Sequence, residues 1–127
     1  MRKLKFVLLF VLVVGIAVSL AACGGGNSGS SSGPNAAAGE KLFNESLIGT
    51  QPGCKTCHSL EPGVVMVGPS LAGIASRADE AYIRKSIQEP DADVVDGFTA
   101  GTMPAALAGE LSEQQLNDIV AFLLTLK

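Results

Sequence analysis

The order of apolar and polar residues divides the chain into three stretches. Residues 6–18 are apolar, residues 24–34 are mostly Gly and Ser, and residues 36–127 contain apolar residues at helical spacing. An apolar run near the N-terminus is typical of a signal peptide or a membrane-spanning helix. A Gly/Ser tract cannot bury apolar surface and serves as a flexible tether. Only the third stretch has the pattern of a folded domain, and the chain length allows one such domain.

Three helices are predicted within the third stretch. The first covers about residues 36–47, and the second covers residues 79–88 and stops before Pro90. A C-terminal helix begins at Ser112 and Gln115, which have capping-box spacing. Its apolar residues recur at helical spacing: Leu116, Ile119, Val120 and Leu123. No segment has a convincing strand pattern, so the sequence predicts an all-α domain.

Residues 1–22 have the features of a secretory signal peptide. Arg2, Lys3 and Lys5 precede the apolar run, and small residues follow it. The alternative is a retained transmembrane helix, because residues 6–22 are about long enough to span a bilayer. Cleavage would leave six Lys and Arg against twelve Asp and Glu, which changes the net charge from −3 to −6. An acidic domain favours basic protein surfaces, and nucleic acid is not an expected partner.

Residues 20–23, Leu-Ala-Ala-Cys, resemble the box at which bacterial lipoproteins are cleaved and acylated. The resemblance implies that Cys23 is the lipid attachment site and that residues 23–35 form the acylated Cys and its tether. Two or more acyl chains give stable membrane anchoring. We therefore expect a protein of the cell membrane, lipid-anchored on the extracytoplasmic face.

The remaining two cysteines lie in Cys54-Lys55-Thr56-Cys57-His58. A thioredoxin-like redox pair would require a surrounding strand–helix–strand pattern, which is not visible. A structural zinc site would require four ligands, whereas His58 is the only His and no further Cys remains. A plain disulfide would leave the adjacent His58 unexplained. C-x-x-C-H is the signature of covalent haem attachment, in which two thiols bind the porphyrin and the His lies beneath the iron.

One His permits one haem and excludes bis-His ligation, so a Met, a weaker ligand or an open position completes the iron site. Met66 is close to His58 in sequence, but the turns around it favour the proximal side of the haem. Met103 precedes Pro104, which biases it toward an extended conformation in a non-helical segment. Met103 is therefore the predicted sixth ligand, and a His/Met pair raises the reduction potential.

These elements, in this order, resemble the class I mono-haem cytochrome c family from about residue 36 to residue 127. The resemblance implies a fold of three to four helices around one covalent haem c. It also implies that the first and last helices cross at Gly39, with Phe43 and Phe122 in contact. The carbonyl of Pro69 would accept a hydrogen bond from His58. Residues 67–84 are most similar to the cytochrome domain fused to some haem–copper oxidase subunits II.

The predicted function is electron transport without enzymatic activity, by a monomeric carrier tethered to a membrane. Its redox partners would be an oxidase, a quinol-oxidising complex or a photosynthetic reaction centre. The alternative is a haem enzyme or gas sensor with an open sixth site, for which Arg77 and Arg84 are the candidate distal residues. A third hypothesis is a thiol–disulfide lipoprotein that uses Cys54 and Cys57. With so little apolar core in 92 residues (36–127), we expect the chain to need its haem in order to fold.

Overall fold

A computed structural model describes residues 33–127. The predicted signal peptide, Cys23 and nearly all of the predicted tether lie outside the described residues. The described part contains five α-helices, one short 3₁₀-helix and one hairpin. The helices are α1 (Ala36–Phe43), α2 (Cys54–Cys57), α3 (Glu80–Gln88), α4 (Leu107–Glu110) and α5 (Glu113–Leu123). The hairpin consists of β1 (Leu47–Ile48) and β2 (Gln51–Pro52), and the 3₁₀-helix is Ile74–Ser76.

Helices α1 and α5 form the main packing contact of the domain. Gly39 lies where they cross, and a Cβ at this position would be 1.9 Å from the backbone oxygen of Asp118. Any side chain here would therefore force the helices apart. Beyond the crossing, the rings of Phe43 and Phe122 lie 5.5 Å apart at an angle of 55°, a tilted arrangement that aromatic pairs favour. The packing is the one that the family resemblance implies.

Side chains at the helix starts explain why the three longer helices begin where they do. Asn35 accepts a hydrogen bond from Ala38 N at the start of α1, and Asp79 accepts one from Tyr82 N at the start of α3. Ser112 and Gln115 form a complete capping box before α5. Each cap satisfies a backbone N–H that has no partner within the helix. The predicted capping box is confirmed.

Two predictions about local structure were wrong. The first helix ends at Phe43 and not near residue 47, because the side chain of Asn44 bonds the carbonyl of Glu40 and the next residues turn into the hairpin. The prediction that no strand forms missed this hairpin, whose strands have two residues each. The five helices comprise three longer ones and two single turns of four residues, α2 and α4. The all-α class is confirmed.

Two long connections complete the fold. The His58 loop (residues 58–73) joins α2 to the 3₁₀-helix, and the Met103 loop (residues 89–106) joins α3 to α4. The core lies between α1, α3 and α5, and one side of it opens onto a cavity between the two loops. Within residues 33–127, no helix has both the length and the apolar character to cross a membrane.

Asp118 is a charged residue buried in the main helix pair, with 8% of its surface exposed. Its Oδ1 accepts hydrogen bonds from Asn35 N and from Gln114 Nε2, both at 2.8 Å. A buried carboxylate is tolerated when hydrogen bonds replace water. The bond to Asn35 also fixes the first turn of α1 on α5.

Candidate functional site

The five residues from Cys54 to His58 form one compact turn. His58 N donates to Cys54 O at 3.0 Å, which closes the single turn of α2. Both Cys side chains and the imidazole line the same cavity. Helical spacing brings the two thiols to one wall of the cavity. The helix ends at His58, whose backbone is extended. The two thiols are not joined in a disulfide.

The imidazole of His58 is held from two sides by the loop that follows it. Nδ1 of His58 lies 2.9 Å from the carbonyl oxygen of Pro69, so Nδ1 carries the proton that is donated. The other nitrogen, Nε2, then has a free lone pair for a metal ion. Gly68 is packed against the ring, and a Cβ at this position would be 2.5 Å from Cε1 of His58. Gly68 N also donates to Cys57 O at 2.8 Å, and this bond holds Gly68 and Pro69 next to the turn that carries the two thiols.

The cavity has a volume of about 400 Å³, which lies within the usual range for a small-molecule or cofactor site. Apolar side chains from all three longer helices and both loops form most of its wall. Those of the helices are Phe43, Ile83, Ile87, Ile119 and Leu123. An apolar wall with thiols and an imidazole at one edge fits a flat, apolar porphyrin whose attachment points lie at that edge.

Of the two candidate Met ligands, only Met103 lines this cavity. Met103 is partly buried, whereas Met66 is 47% exposed and lies in an exposed part of the His58 loop. Met66 N donates to Gly68 O at 3.2 Å, so the backbone of Met66 stays next to Gly68 on the His58 side of the cavity. The structure therefore brings His58 and Met103 to one cavity and leaves Met66 out of it.

The two candidate distal Arg residues are both engaged elsewhere. The guanidinium of Arg77 lies at the cavity wall, but its nitrogens donate to the carbonyls of Ala72 and Ser70 at 2.6 and 2.8 Å. Arg84 donates to Asn117 of α5 at 2.7 Å and lies 3.3 Å from Glu80, and it does not line the cavity. Tyr82 also lines the cavity and is 38% exposed.

The acidity of Cys54 argues against a thiol-based function. Burial raises the pKa of the Cys54 thiol from 9.0 to about 11, with a further small rise from the neighbouring Cys57. A reactive redox Cys requires a lowered pKa, because the thiolate is the nucleophile. A thioether sulfur has no charge to bury and suits such a place.

The donor groups within residues 33–127 also argue against a structural zinc site. No group of three or more His, Cys, Asp or Glu residues comes together in this part of the chain. A structural zinc ion requires four such ligands.

Two parts of the site were not found from the sequence. Gly68 precedes the predicted acceptor Pro69, and its close packing on the His58 ring depends on the folded loop. Asp91 lines the cavity and accepts a hydrogen bond from Gly101 N at 2.6 Å. The sequence offers Glu89-Pro90-Asp91 as a turn signal, but it does not indicate a partner ten residues away.

Comparison with known proteins agrees with this geometry. A search of curated proteins finds no match to the chain. The profile of the family described as Cytochrome c matches residues 36–127, which include every described helix and the whole cavity wall. The Cys54–Cys57 turn fits the attachment motif of that family, whose cofactor is covalent haem c. The chain belongs to the cytochrome c family.

Proposed function

We infer that the chain, as a member of the cytochrome c family, is a haem-based electron carrier with one haem c as its cofactor. We propose that the haem is attached at Cys54 and Cys57, that His58 and Met103 are the axial ligands, and that the domain is tethered to a membrane through Cys23. The observation that carries the proposal is the meeting of these two thiols, the imidazole and the Met103 side chain at one apolar cavity. Haem c supplies an iron that alternates between Fe(III) and Fe(II).

The attachment turn is suited to its chemistry. Each thiol adds across one vinyl group of the porphyrin, so that a thioether forms and no group leaves. Helical spacing in α2 sets the two sulfurs apart by one turn, and His58 follows immediately. Pro69 keeps the proton on Nδ1 and so leaves Nε2 for the iron. The proximal side is therefore built within the sixteen residues from Cys54 to Pro69.

The distal side supports electron transfer and not catalysis. A thioether ligand on the sixth position blocks the access of substrates and small gases. The two Arg residues considered for the distal side are engaged elsewhere, Arg77 with two backbone carbonyls and Arg84 with Asn117 of α5. A site of this kind changes charge without proton transfer or bond rearrangement.

The exposed segment Val64–Val67 is the surface that we propose for contact with redox partners. Its four side chains are 40% to 64% exposed, and no charged residue occurs from Pro62 to Ser76. Gly68 connects this segment directly to Cys57. An exposed apolar patch of consecutive residues indicates a protein contact. The domain around it is acidic, so the partner surface is expected to combine an apolar centre with a basic rim.

The proposed ligation is tested by comparing Met103→Ala with Met66→Ala in the haem-loaded, full-length protein. Met103→Ala should open the sixth position, so that reduced protein binds carbon monoxide rapidly and the reduction potential falls. Met66→Ala should leave both properties unchanged, because Met66 does not line the cavity. If Met103→Ala binds carbon monoxide no faster than the unsubstituted protein, the proposed ligation is overturned. Rapid carbon monoxide binding by the unsubstituted protein would favour the haem enzyme or gas sensor.

Membrane tethering has a separate test. Cys23→Ser should abolish labelling of the protein by radioactive palmitate and shift it from the membrane fraction. The Cys57→Ser variant serves as the control, since it removes a thiol from the haem site and leaves the lipoprotein box intact. Equal membrane recovery of the Cys23→Ser variant would contradict the lipid anchor and support a retained transmembrane helix.

A further inference from the structure

The Met103 loop has few backbone hydrogen bonds for its length. Within it, Ala92 N donates to Glu89 O, Phe98 N to Val95 O, and Thr102 N to Thr99 O. Each of these bonds joins residues three positions apart, so each closes only a local turn. None of them connects the beginning of the loop to its end.

A side chain makes that connection. Oδ1 of Asp91 accepts a hydrogen bond from Gly101 N at 2.6 Å, across ten positions of the chain. Gly101 has a φ of +77°, in the left-handed region that residues with a Cβ rarely adopt. A Cβ at Gly101 would meet nothing within 4 Å. The glycine is therefore required by the backbone conformation in which this bond forms, and not by lack of space.

The closed end of the loop lies next to Met103. Only Thr102 separates Met103 from Gly101, and Pro104 stiffens the chain on the other side. Asp91 and Met103 both line the cavity. We propose that Asp91 is a positioning residue for Met103, which closes the loop and holds the thioether at the iron; this rests on the His58/Met103 ligation proposed above.

The expected effect follows from loop closure. Without the Asp91 bond, the segment that carries Met103 has more conformational freedom when the thioether is off the iron. Binding of the thioether then costs more conformational entropy. The thioether would then leave the iron more often. Carbon monoxide binds ferrous haem only at a free sixth position, so its binding rate measures how often Met103 has left.

The experiment compares three variants of the haem-loaded, full-length protein. Asp91→Ala removes the acceptor, and Asp91→Asn keeps an oxygen in the same place without the charge. Asp96→Ala is the matched control: Asp96 is an exposed carboxylate of the same loop, and within residues 33–127 the loop's side-chain bonds are made by Asp91 and Asp93 instead.

Asp91→Ala should bind carbon monoxide about five times faster than the unsubstituted protein, the factor that corresponds to one hydrogen bond with a net worth of about 1 kcal/mol. It should also weaken the charge-transfer absorption of thioether-ligated ferric haem. The Gly101 amide should exchange its hydrogen faster by a similar factor. Asp91→Asn should restore most of each property, and Asp96→Ala should change none.

Three outcomes would overturn the proposal. If Asp91→Ala behaves like Asp96→Ala while the unsubstituted protein excludes carbon monoxide, Met103 is a ligand that Asp91 does not position. If Asp91→Asn is as impaired as Asp91→Ala, the charge of Asp91 acts and not its hydrogen bond. If the unsubstituted protein binds carbon monoxide freely, the proposed ligation fails together with the positioning role.

Discussion

The His58 loop and the Met103 loop border the same cavity, but different kinds of bond hold them. In the His58 loop, backbone bonds run from Gly68 to Cys57 and from Leu71 to Ser59, both at 2.8 Å. Arg77 adds two bonds to carbonyls of the same loop. The Met103 loop has only local turns and two side-chain ties, made by Asp91 and Asp93.

The difference separates two tasks of one cofactor site. The His58 loop is held by hydrogen bonds between backbone groups, one of which reaches the attachment turn, and this suits the permanent ligand that we propose His58 to be. The Met103 loop is held at few points and by exposed side chains, so the proposed binding of Met103 to the iron would depend on single side chains. Small changes in this loop are therefore expected to alter ligation without unfolding the domain.

The largest effect is expected from removal of the haem, after which neither loop should keep its folded structure. The chain produced without haem should show no cooperative thermal transition, because an empty cavity of about 400 Å³ replaces part of an already small core. Circular dichroism during heating measures this directly, and the haem-loaded protein is the reference. A sharp transition in the haem-free chain would show that the loops hold their places without the cofactor.

The Cys54 thiol gives an independent test of the same prediction. Burial raises its pKa from 9.0 to about 11 in the folded chain. A haem-free fold would thus keep this contribution to its stability below pH 9 and lose it as the pH rises toward 11. In the unfolded chain the pKa of Cys54 should be near 9. Alkylation of the Cys54 peptide at different pH values, followed by mass spectrometry, separates the two cases.

A methyl group at Gly68 should damage the more tightly fastened loop. The new Cβ of Gly68→Ala would lie 2.5 Å from the imidazole of His58, so the ring or the loop must move. We expect the free energy of unfolding to fall by about 1–3 kcal/mol and part of the iron to lose its low-spin spectrum. Chemical denaturation and absorption spectroscopy measure the two effects.

Gly109→Ala is the control for that variant, because a Cβ there meets nothing within 4 Å. It should leave the spectrum unchanged. If Gly68→Ala also has an unchanged spectrum, the His58 loop yields more easily than its hydrogen bonds indicate.

Polar substitutions on the two loops should have unequal effects on partner contact. The pair Val65→Ser and Met66→Ser removes apolar surface from the proposed contact segment, and should slow oxidation by membranes of the producing cells about fivefold. Oxidation by ferricyanide, which needs no protein contact, should not change. The pair Val94→Ser and Val95→Ser changes exposed residues of the Met103 loop that also line the cavity. Its oxidation by membranes is therefore divided by its oxidation by ferricyanide, and this ratio should not change. Equal slowing by both pairs would place the contact across both loops.

The smallest effect is expected at the ion pair between Lys85 of α3 and Asp93 of the Met103 loop. Lys85 lies 2.7 Å from Asp93 with both side chains about half exposed, and this bond raises the pKa of Lys85. Exposed ion pairs contribute little and are screened by salt. Lys85→Gln should lower the thermal midpoint by no more than about 2 °C and leave carbon monoxide binding unchanged. Faster binding in this variant would mean that both ties of the loop position Met103.

The parts of the protein that the sequence predicted are those that short segments encode. The Cys54–His58 turn and the Ser112–Gln115 capping box each involve residues at most four positions apart, so their geometry follows from local spacing. The end of α1 was placed too late because a hairpin that pairs Leu47 with Pro52 takes over the following residues. Helix propensity does not reveal such pairing, which depends on tertiary context.

The features that the sequence did not predict depend on residues that meet only in the folded chain. Asp91 reads as a solvated turn residue until its bond to Gly101 is seen. Asp118 reads as a polar position of an amphipathic helix, yet it is buried because Asn35 and Gln114 donate to it. In both cases a carboxylate has a partner that no sequence pattern indicates.

The bond between Asp118 and Asn35 also determines how the domain bears mechanical load. Any pull transmitted from the residues before Gly33 reaches the domain at Asn35, where Asp118 joins the first turn of α1 to α5. Four residues after Asn35, Gly39 lets α1 pack against the backbone of Asp118. Force is thus taken up by the helix pair at the start of α1. The two loops that border the haem cavity lie outside this path. If the tether proposed at Cys23 comes under tension, the proposed ligands His58 and Met103 are therefore expected to keep their places.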